Sequence, residues 1–362
     1  MRLGWIVAVL LMTGAALAQE PGNMGGLPAR AEAPFRLERV VPLTLPWAIA
    51  PLPGGDLLVT GKGGRLWQVS HGQAEEIRGL PAVRYEGQIG LLDIAAAPDF
   101  VTTRRVFLSY VAEDNALTLA RARLAGNRLT ELTPLWRQSP GGEGQPGGII
   151  AFGPDGMVYL SVGDRMQPDT AQQPDNPRGK ILRLTPEGQP APGNPFTGSP
   201  TRAATWSEGH RNPYGLAFAP DGTLWEHEMG PRGGDELNRI EPGRNYGWPL
   251  VSNGDHYSGW PIPDHYTRPD LAAPVLWWTP VIAPAGLAVY AGHDFPDWTG
   301  SLLIGALRGE GLVRVAPDGT SQLDRWDLGM RVRDVAVDGA GHVWIISDAE
   351  EGALYRLVPL SE

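Results

Sequence analysis

The sequence lacks cysteine altogether, and this absence limits how the chain can be stabilised or anchored. None of the 362 residues is a cysteine. Disulfide bonds therefore play no part in the fold, and a hydrophobic core of this size does not require them. A lipid-modified cysteine, the anchor of a lipoprotein, is excluded for the same reason.

Several motifs with well-defined chemistry are also missing. The sequence contains no G-x-G-x-x-G, P-loop or G-x-S-x-G element, so nicotinamide, nucleotide and serine-hydrolase readings have no support. Its seven histidines form neither an H-x-H nor an H-E-x-x-H pair, which argues against a zinc site. Positive charge is scarce, since 30 Lys and Arg face 40 Asp and Glu and the net charge is −10. Because neutralising phosphates needs a basic surface, we expect no nucleic-acid partner.

Long apolar runs are absent except at the N-terminus. A minimal positive start at Met1-Arg2 precedes an apolar run over 5–15 and a small-residue site that ends at Ala18. This order predicts a signal peptide at 1–18, cleaved near Ala18. The run is too short to cross a bilayer as an uncleaved anchor. We therefore expect a periplasmic or secreted protein without a membrane span.

Glycine, proline and tryptophan are abundant, at 48, 35 and 13 residues. A hydrophobic content of 42% excludes a disordered chain, and so much glycine and proline is typical of an all-β protein with many turns. Residues 19–36, which are rich in Gly, Pro and Ala, are expected to form a flexible lead-in.

One pattern recurs along the rest of the chain: an apolar stretch, a Pro/Gly/Asp turn, and a strand rich in β-branched and aromatic residues. Six copies lie at 48–61, 92–111, 149–164, 215–228, 286–307 and 332–348. The repeat predicts a six-bladed β-propeller of four-stranded antiparallel blades that fills 37–362 as a single domain. Extra residues collect at 165–210 and 229–280, and loops of this length usually carry function.

Two polar loops flank the fourth repeat and carry the richest chemistry. GHRNP at 209–213 offers a guanidinium and an amide, and EMGPRGGDE at 228–236 offers backbone carbonyls beside two adjacent carboxylates. Such groups suit a polyanionic cofactor held with a hard cation such as calcium. With NYGWP at 245–249, the block closely resembles the soluble quinoprotein sugar dehydrogenases. These form the glucose/sorbosone dehydrogenase family, which uses pyrroloquinoline quinone (PQQ) and calcium.

The resemblance implies a role for each residue of the first loop. The family motif reads GHRNPQG, and this chain matches it except that Tyr214 replaces the Gln. By resemblance, Arg211 and Asn212 contact the reactive carbonyl region of the quinone. An arginine there can stabilise the negative charge that develops on the quinone oxygen.

The second loop resembles the calcium-binding segments of the family, and calcium takes six to eight oxygen ligands. The resemblance implies that the carbonyls of Gly230 and Pro231 hold the calcium beside the cofactor. It further implies a second, structural calcium, held with help from Asp235, Glu236 and Tyr246. One departure is Met229, which stands where relatives carry His and removes no oxygen ligand.

Four more residues resemble cofactor contacts of the family. Arg331 and Arg333 are spaced i, i+2, so on a strand both face the same way, as a clamp for the quinone carboxylates requires. Arg308 stands where the soluble glucose enzymes have Lys and keeps the positive charge with different geometry. Gln88, in GQIGLL, matches the family's GQNGLLG.

The decisive departure lies just before the third repeat. Relatives carry a His there that acts as general base towards the C1 hydroxyl of the sugar. Alignment on the GPDG turn puts Gln145 at that His and Ile149 at a family Arg. A carboxamide has no useful basicity near neutral pH, so Gln145 cannot be the base. Glu143, two residues earlier, could face the same side of an extended segment and serve instead.

Three functions stay open on the sequence. By resemblance the protein oxidises the C1 hydroxyl of an aldose to a lactone, reduces PQQ and passes electrons to an external acceptor. Gln145 favours a first alternative, a propeller that binds a carbohydrate or quinone without oxidising it. A second alternative is a metal-assisted hydrolase of the lactonase type, since fold does not fix function. The particular sugar and the choice between monomer and homodimer are not readable from the chain.

Overall fold

A computed structural model of the protein describes residues 22–360. The signal peptide predicted at 1–18 lies outside these residues. The chain enters the fold through β1 (Gly22–Asn23) and β2 (Phe35–Thr44) and then builds one four-stranded antiparallel sheet after another. None of the helices within 22–360 has both the length and the apolarity needed to cross a membrane.

The first three blades follow each other directly along the chain. Blade 1 comprises β3 (Pro46–Pro51), β4 (Leu57–Gly61), β5 (Arg65–Ser70) and β6 (Gln73–Glu76). Blade 2 comprises β7 (Leu91–Ala96), β8 (Arg105–Val111), β9 (Leu117–Ala125) and β10 (Arg128–Arg137), with the short helix α1 (Phe100–Thr103) between its first two strands. Blade 3 comprises β11 (Gly147–Phe152), β12 (Val158–Val162), β13 (Lys180–Leu184) and β14 (Thr205–Glu208), the last preceded by α2 (Pro200–Ala204).

The last three blades include the long loops and the chain closure. Blade 4 comprises β15 (Pro213–Phe218), β16 (Leu224–Glu228), β18 (Asp235–Ile240) and β20 (Leu276–Trp278), while β17 (Arg232–Gly233) pairs with β19 (Gly254–Asp255) in its loops. Blade 5 comprises β21 (Pro284–Val289), β22 (Leu302–Ala306), β23 (Gly311–Val315) and β24 (Gln322–Asp327). Blade 6 comprises β25 (Val332–Val337), β26 (Val343–Ser347), β27 (Glu351–Pro359) and β2. Single-turn 3-10 helices lie at Pro168–Gln172, His265–Thr267 and Pro296–Trp298. The predicted six-bladed β-propeller is confirmed.

Local sequence explains why each hairpin forms. The second strands are continuous apolar runs such as VYLSV of β12, and every residue of that strand is buried between neighbouring blades. The turns before them use Asp-Gly pairs, and Gly156 and Gly222 adopt φ of 76° and 87°. These left-handed conformations favour glycine and suit the tight connection between two antiparallel strands.

Polar side chains of the second strands tie each blade to the next. Ser161 Oγ accepts the N–H of Ile149 at 3.0 Å and donates to the carbonyl of Pro213 in blade 4 at 3.0 Å. Thr60 and Ser109 make the same pair of bonds from blades 1 and 2, and His227 Nε2 donates to Gly286 O of blade 5 at 2.9 Å. These bonds satisfy backbone groups of the inner strands that face the central channel.

The ring closes in blade 6, where β2 pairs with β27, the last strand of the chain. The preceding segment is also tied to the propeller. β1 pairs in parallel with β20, Asn23 exchanges two 2.9 Å hydrogen bonds with the backbone of Thr279, and the N–H of Arg30 donates to Arg325 O at 2.7 Å. A flexible lead-in is therefore wrong for residues 22–36, because two blade edges supply backbone partners for it.

Candidate active site

Antiparallel pairing brings two sets of loops to one end of the propeller. Each inner strand begins at the end of its blade where the second strand finishes. Segments before the inner strands carry Gln88, Gln145, Arg211, Asn212 and Arg331, and segments after the second strands carry Lys62, Asp164, Arg308 and Asp348. Arg333 lies near the start of β25. The predicted cofactor contacts therefore share one face of the molecule.

Glu228, the last residue of β16, fixes the loop that carries Arg211 and Asn212. Its Oε2 accepts the backbone N–H groups of both residues, that of Asn212 at 3.1 Å. Its Oε1 lies 3.2 Å from Nδ1 of the buried His210. Gly209 has a φ of 80°, and any Cβ there would collide with the Asn245 side chain. The loop is held on both sides before any ligand arrives.

The guanidinium of Arg211 is buried and held at several points. Nη1 donates to the carbonyls of Met229 at 2.7 Å and Gly230 at 2.8 Å, and Nη2 donates to the hydroxyl of Tyr257 at 3.3 Å. The Nε has no protein partner in the described part of the chain. Arg211 thus contacts the Gly230 carbonyl that the resemblance assigns to calcium, and the predicted cofactor and metal residues are in direct contact.

A cavity of about 300 Å³ opens beside this guanidinium. Its walls include Gln145, Asp164, Asp169, Arg211, Pro231, Trp248 and Tyr257. Gln145 is held by Gln88, whose Oε1 accepts the Gln145 backbone N–H at 2.6 Å. Oriented to satisfy both neighbours, the Gln145 amide NH2 donates to Asp164 Oδ1 at 2.5 Å and its carbonyl accepts from Arg211 Nη2 at 2.8 Å. The residue that aligns with the family's His therefore lines this cavity.

Asp164, which follows β12, is a site residue that the sequence analysis missed. It is only 1% exposed, and its Oδ2 accepts the indole N–H of Trp248 at 2.8 Å. Burial raises the pKa of Asp164 to about 6, although the Trp248 hydrogen bond and the Arg211 charge lower it. The signal was available, because Asp164 ends the third repeat at the same end of its blade as Gln145.

Glu143 does not join this cavity, so the interpretation of it as a substitute base is wrong on geometry. Its side chain is exposed in a separate groove lined by Asp114, Asn115 and Arg165. Gln145 has a φ of 37°, so the segment is not extended and the i, i+2 rule fails. Ile149, which aligns with a family Arg, also lies away from this cavity. It lines the central channel of the propeller.

A cluster of cations lies at the same end, in blades 1 and 6. Arg331 and Arg333 both pair with Asp348, at 2.6 Å and 2.8 Å, so the two side chains converge on one carboxylate, although Arg331 precedes β25 and the strand pairing shifts register between Val332 and Asp334. Lys62 was missed by the sequence analysis. Burial and the charge of Arg333 lower the pKa of Lys62 to about 8. Two guanidinium groups that share one carboxylate, with the Lys62 ammonium group beside them, leave an excess of positive charge.

Aromatic rings connect the cation cluster to the Arg211 loop. The Arg333 guanidinium lies 4.0 Å from the ring centroid of Trp47, and Lys62 Nζ lies 4.8 Å from it. Tyr214 packs edge-on against Trp47 with ring centroids 5.6 Å apart, two residues after Asn212. Arg308 is exposed after β22, next to the Leu307 carbonyl that Arg331 contacts at 3.5 Å.

Below the Arg211 loop, three buried carboxylates lie close together. His210, Glu226 and Glu228 offer ligand atoms within 4.8 Å of one another. Glu226 Oε1 has no protein partner among the described residues. Burial, followed by the charge of Glu228, raises the pKa of Glu226 well above its ordinary value. The third carboxylate, Glu236, lies 3.1 Å from Nε2 of His265. Such a cluster could hold a cation.

Two of the predicted metal ligands do not fit that role with their side chains. Asp235 accepts three backbone N–H groups, from Gly230 at 2.9 Å, Ile282 at 2.8 Å and Ala283 at 2.7 Å. Asp235 thus links blades 4 and 5, and the expectation that its side chain binds a metal is wrong because both its oxygens accept backbone N–H groups. The Tyr246 hydroxyl donates to Arg239 O at 2.6 Å and accepts the N–H of Glu241 at 2.9 Å, so it is engaged in the protein's own hydrogen bonds. Tyr246, Glu228, Gly230 and Glu236 line one small buried cavity.

The sequence and the fold both have relatives of known description. The profile of the glucose/sorbosone dehydrogenase family matches residues 43–356. The aldose sugar dehydrogenase YliI of Escherichia coli K12 is 37% identical over 338 residues, which span 87% of this chain and 90% of that protein.

Solved structures agree with these matches. A structure described as a glucose dehydrogenase superposes with a TM-score of 0.85 at 38% identity, covering 90% of this chain and 100% of that one. The PQQ-bound form of an aldose sugar dehydrogenase from Streptomyces coelicolor superposes with a TM-score of 0.73 at 32% identity, covering 91% of this chain and 99% of that one.

Proposed function

The chain belongs to the glucose/sorbosone dehydrogenase family, and from this premise we propose that it is a PQQ- and calcium-dependent dehydrogenase that oxidises the C1 hydroxyl of aldoses to lactones. Its substrate would be a small sugar, and its electrons would pass to an external acceptor. Cleavage near Ala18 would release it into the periplasm or the medium. The family members named above include an aldose sugar dehydrogenase with PQQ bound.

The observation that carries the proposal is the excess of positive charge at one end of the propeller. Arg331 and Arg333 share the single carboxylate of Asp348, Lys62 lies beside them and donates to the Gly87 carbonyl, and the buried Nε of Arg211 has no protein partner among residues 22–360. PQQ is a flat tricarboxylate, and guanidinium forks are well suited to bind carboxylates. Trp47 stacks beneath two of the cations and keeps them in position. Gln88 and Arg308 complete the proposed cofactor contacts.

Calcium fits the buried carboxylates of this chain better than it fits the ligand set read from the sequence. Glu226 has an unpartnered oxygen, and with Glu228 and Glu236 it forms a cluster of three carboxylates beside two histidines. A divalent cation would offset this excess of negative charge. We propose that Glu236 and the backbone of Tyr246 hold the structural calcium. The carbonyls of Gly230 and Pro231 would hold the calcium beside the cofactor.

The residues of this chain then divide the work of the reaction. When bound, PQQ would supply the acceptor for two electrons, and calcium would supply Lewis-acid polarisation. Arg211, fixed by the Met229 and Gly230 carbonyls, stabilises negative charge that develops in the cavity. The backbone N–H of Asn212 is held by Glu228, and Asn212 would orient the reactive carbonyl region of the quinone. Gln145 holds the sugar or its neighbours by hydrogen bonds and takes no proton.

Gln145 also favours a second candidate, a propeller that binds a quinone or a carbohydrate without oxidising it. The lactonase-type alternative loses its support because Asp235 of the Asp235-Glu236 pair is engaged in three backbone hydrogen bonds. The chain keeps three arginines at positions that the resemblance assigns to the quinone: Arg211, Arg331 and Arg333. Their retention favours the dehydrogenase over the non-oxidising propeller.

The test is a titration of the purified, calcium-loaded protein with PQQ, followed by a panel of aldoses and an artificial electron acceptor. Binding with turnover supports the dehydrogenase. Binding without turnover supports the binder, and absence of binding rejects the quinoprotein proposal. A parallel titration with a chelator present measures how far PQQ binding depends on calcium.

A further inference from the structure

The cavity beside Arg211 contains a carboxylate without a cationic partner. Among residues 22–360 no ammonium, guanidinium or imidazole nitrogen lies within 4.0 Å of the Asp164 carboxylate. Its hydrogen bonds come from neutral donors: the Trp248 indole at 2.8 Å, the Met166 backbone N–H at 2.9 Å and the Gln145 amide at 2.5 Å. The Asp164 backbone N–H donates to Arg211 O at 2.8 Å, which ties its position to the Arg211 loop.

We propose that Asp164 is the general base of this protein and that Gln145 is the residue that positions it. The inference rests on the proposed sugar oxidation. Asp164 lines the same cavity as Arg211, so a sugar hydroxyl placed there can reach both the carboxylate and the guanidinium. Geometry is the first requirement for a base, and the position of Asp164 in the wall of this cavity supports the assignment.

The surrounding charges leave Asp164 ionised near neutral pH and yet basic. The charge of Arg211 lowers the pKa of Asp164 and the charge of Glu228 raises it, while Asp164 in turn raises the pKa of Arg165 and Arg178. Burial outweighs the hydrogen bonds and raises the pKa of Asp164 to about 6. A base works best when its pKa lies close to the working pH, so this carboxylate is better suited than an ordinary aspartate.

Gln145 is suited to serve both protonation states of Asp164. Its NH2 group donates to the ionised carboxylate, and a rotated amide offers its carbonyl to the protonated acid. The residue holds a left-handed φ of 37°, and Gln88 Oε1 and the N–H of Arg165 bind its backbone. Strain of this kind persists where the surroundings fix a functional side chain.

Other carboxylates near the cavity are less suited. Glu143 lies in a separate groove, and Glu228 lines the small buried cavity below the Arg211 loop instead of the cavity that Asp164 lines. Asp169 lines the cavity but is exposed to solvent. Asp164 alone among them is buried, faces the cavity and contacts the residue at the family's His position.

The proposed step balances. The O–H bond of the C1 hydroxyl breaks and its proton passes to Asp164, while the C1–H bond breaks and its electron pair leaves with the hydrogen to the quinone. A C1=O double bond forms, so the sugar leaves as the lactone. Asp164 then returns its proton to solvent through the open cavity.

The test compares D164N with E143Q in the calcium- and PQQ-loaded protein, with PQQ affinity measured for each. We expect wild-type kcat/KM to fall below about pH 6, D164N to lose roughly 10²–10⁴-fold in kcat, and E143Q to match the wild type. A D164N protein within threefold of wild type overturns the inference, as does a loss confined to E143Q. An inactive wild type overturns the proposed function itself, so the two failures are distinguishable.

A second readout needs neither cofactor nor turnover. The indole N–H of Trp248 donates to Asp164, so its NMR resonance in the ¹⁵N-tryptophan-labelled full chain should shift with a midpoint near pH 6. W248F identifies that resonance, and D164N should abolish its titration if the variant folds. A Trp248 resonance that stays constant between pH 5 and 7 in the wild type overturns the inference.

Discussion

Replacement of Arg333 by Ala tests the cation cluster most sharply, because the chain contains a matched control. Arg333 forks Asp348 with Nε at 3.0 Å and Nη2 at 2.8 Å and lies over Trp47. Asp348 is shared with Arg331. Arg314 in blade 5 makes the same arrangement, since it forks Asp324 at 2.8 Å and 2.5 Å and lies 5.6 Å from the Trp298 centroid.

The two variants should differ only in cofactor binding. Loss of one charge-assisted hydrogen bond costs about 1.5–3 kcal/mol, and about 1.4 kcal/mol is a factor of ten, so R333A should weaken PQQ binding roughly 10- to 100-fold. R314A should leave the affinity unchanged. Both variants lose a similar ion pair, and we expect the free energy of unfolding to fall by about 1–3 kcal/mol in each.

Fluorescence or calorimetric titration with PQQ at fixed calcium measures the affinities, and urea unfolding measures the stabilities. R333K separates charge from geometry, because it keeps the cation and loses the planar fork. An R333A protein that binds PQQ within twofold of wild type, or an R314A protein that loses equal affinity, would refute the electrostatic reasoning.

The remaining predictions concern stability and the base. Burial raises the pKa values of Asp93 to about 7 and Asp334 to about 8, so between pH 4 and these values the folded chain binds more protons than the unfolded chain. The free energy of unfolding of the calcium-free protein should therefore fall as pH rises from 5 to 8, by up to about 1.4 kcal/mol per pH unit for each group. Urea unfolding at several pH values checks this, and a stability that rises with pH contradicts it. E226Q should stabilise the calcium-free protein at pH 8 and reduce the calcium-induced rise in melting temperature; an unchanged calcium response would exclude the carboxylate cluster as the cation site. In a D164N background, Q145H should restore at least tenfold in kcat by supplying an imidazole, and equal kcat in D164N with and without Q145H would count against the shared position.

Repeat and strand periodicity predicted a large part of this protein. Turn signals and apolar runs recur once per blade, so the propeller and its repeat boundaries follow from local sequence. Arg331 and Arg333 both reach Asp348, although Arg331 precedes β25 and the pairing of that strand shifts register between Val332 and Asp334. The spacing therefore predicted a shared partner, whereas the local backbone departs from a regular strand.

Irregular backbone explains the failures. Glu143 and Gln145 have the same spacing as the arginine pair, but the left-handed φ of Gln145 sends their side chains to different cavities. Asp235 looked like a calcium ligand, whereas three amide groups brought in by the fold occupy its oxygens. Contacts between two blades cannot be predicted from the residue spacing within one blade.

Lys62 and Asp164 were missed for a related reason. Each follows a second strand, and neither belongs to a motif that the resemblance emphasised. Antiparallel pairing nevertheless carries the end of every second strand to the start of its inner strand, next to the predicted site. In a propeller, polar residues directly after the second strand are therefore candidates for the site even without a motif.

The most direct test of the account is an anaerobic single-turnover experiment on the calcium- and PQQ-loaded protein, mixed with an aldose in the absence of an electron acceptor. We expect the absorbance of the bound quinone to convert to that of its reduced form, quickly in wild type and roughly 10²–10⁴-fold more slowly in D164N. A quinone that binds and keeps its oxidised spectrum with every aldose would contradict the assignment as a dehydrogenase.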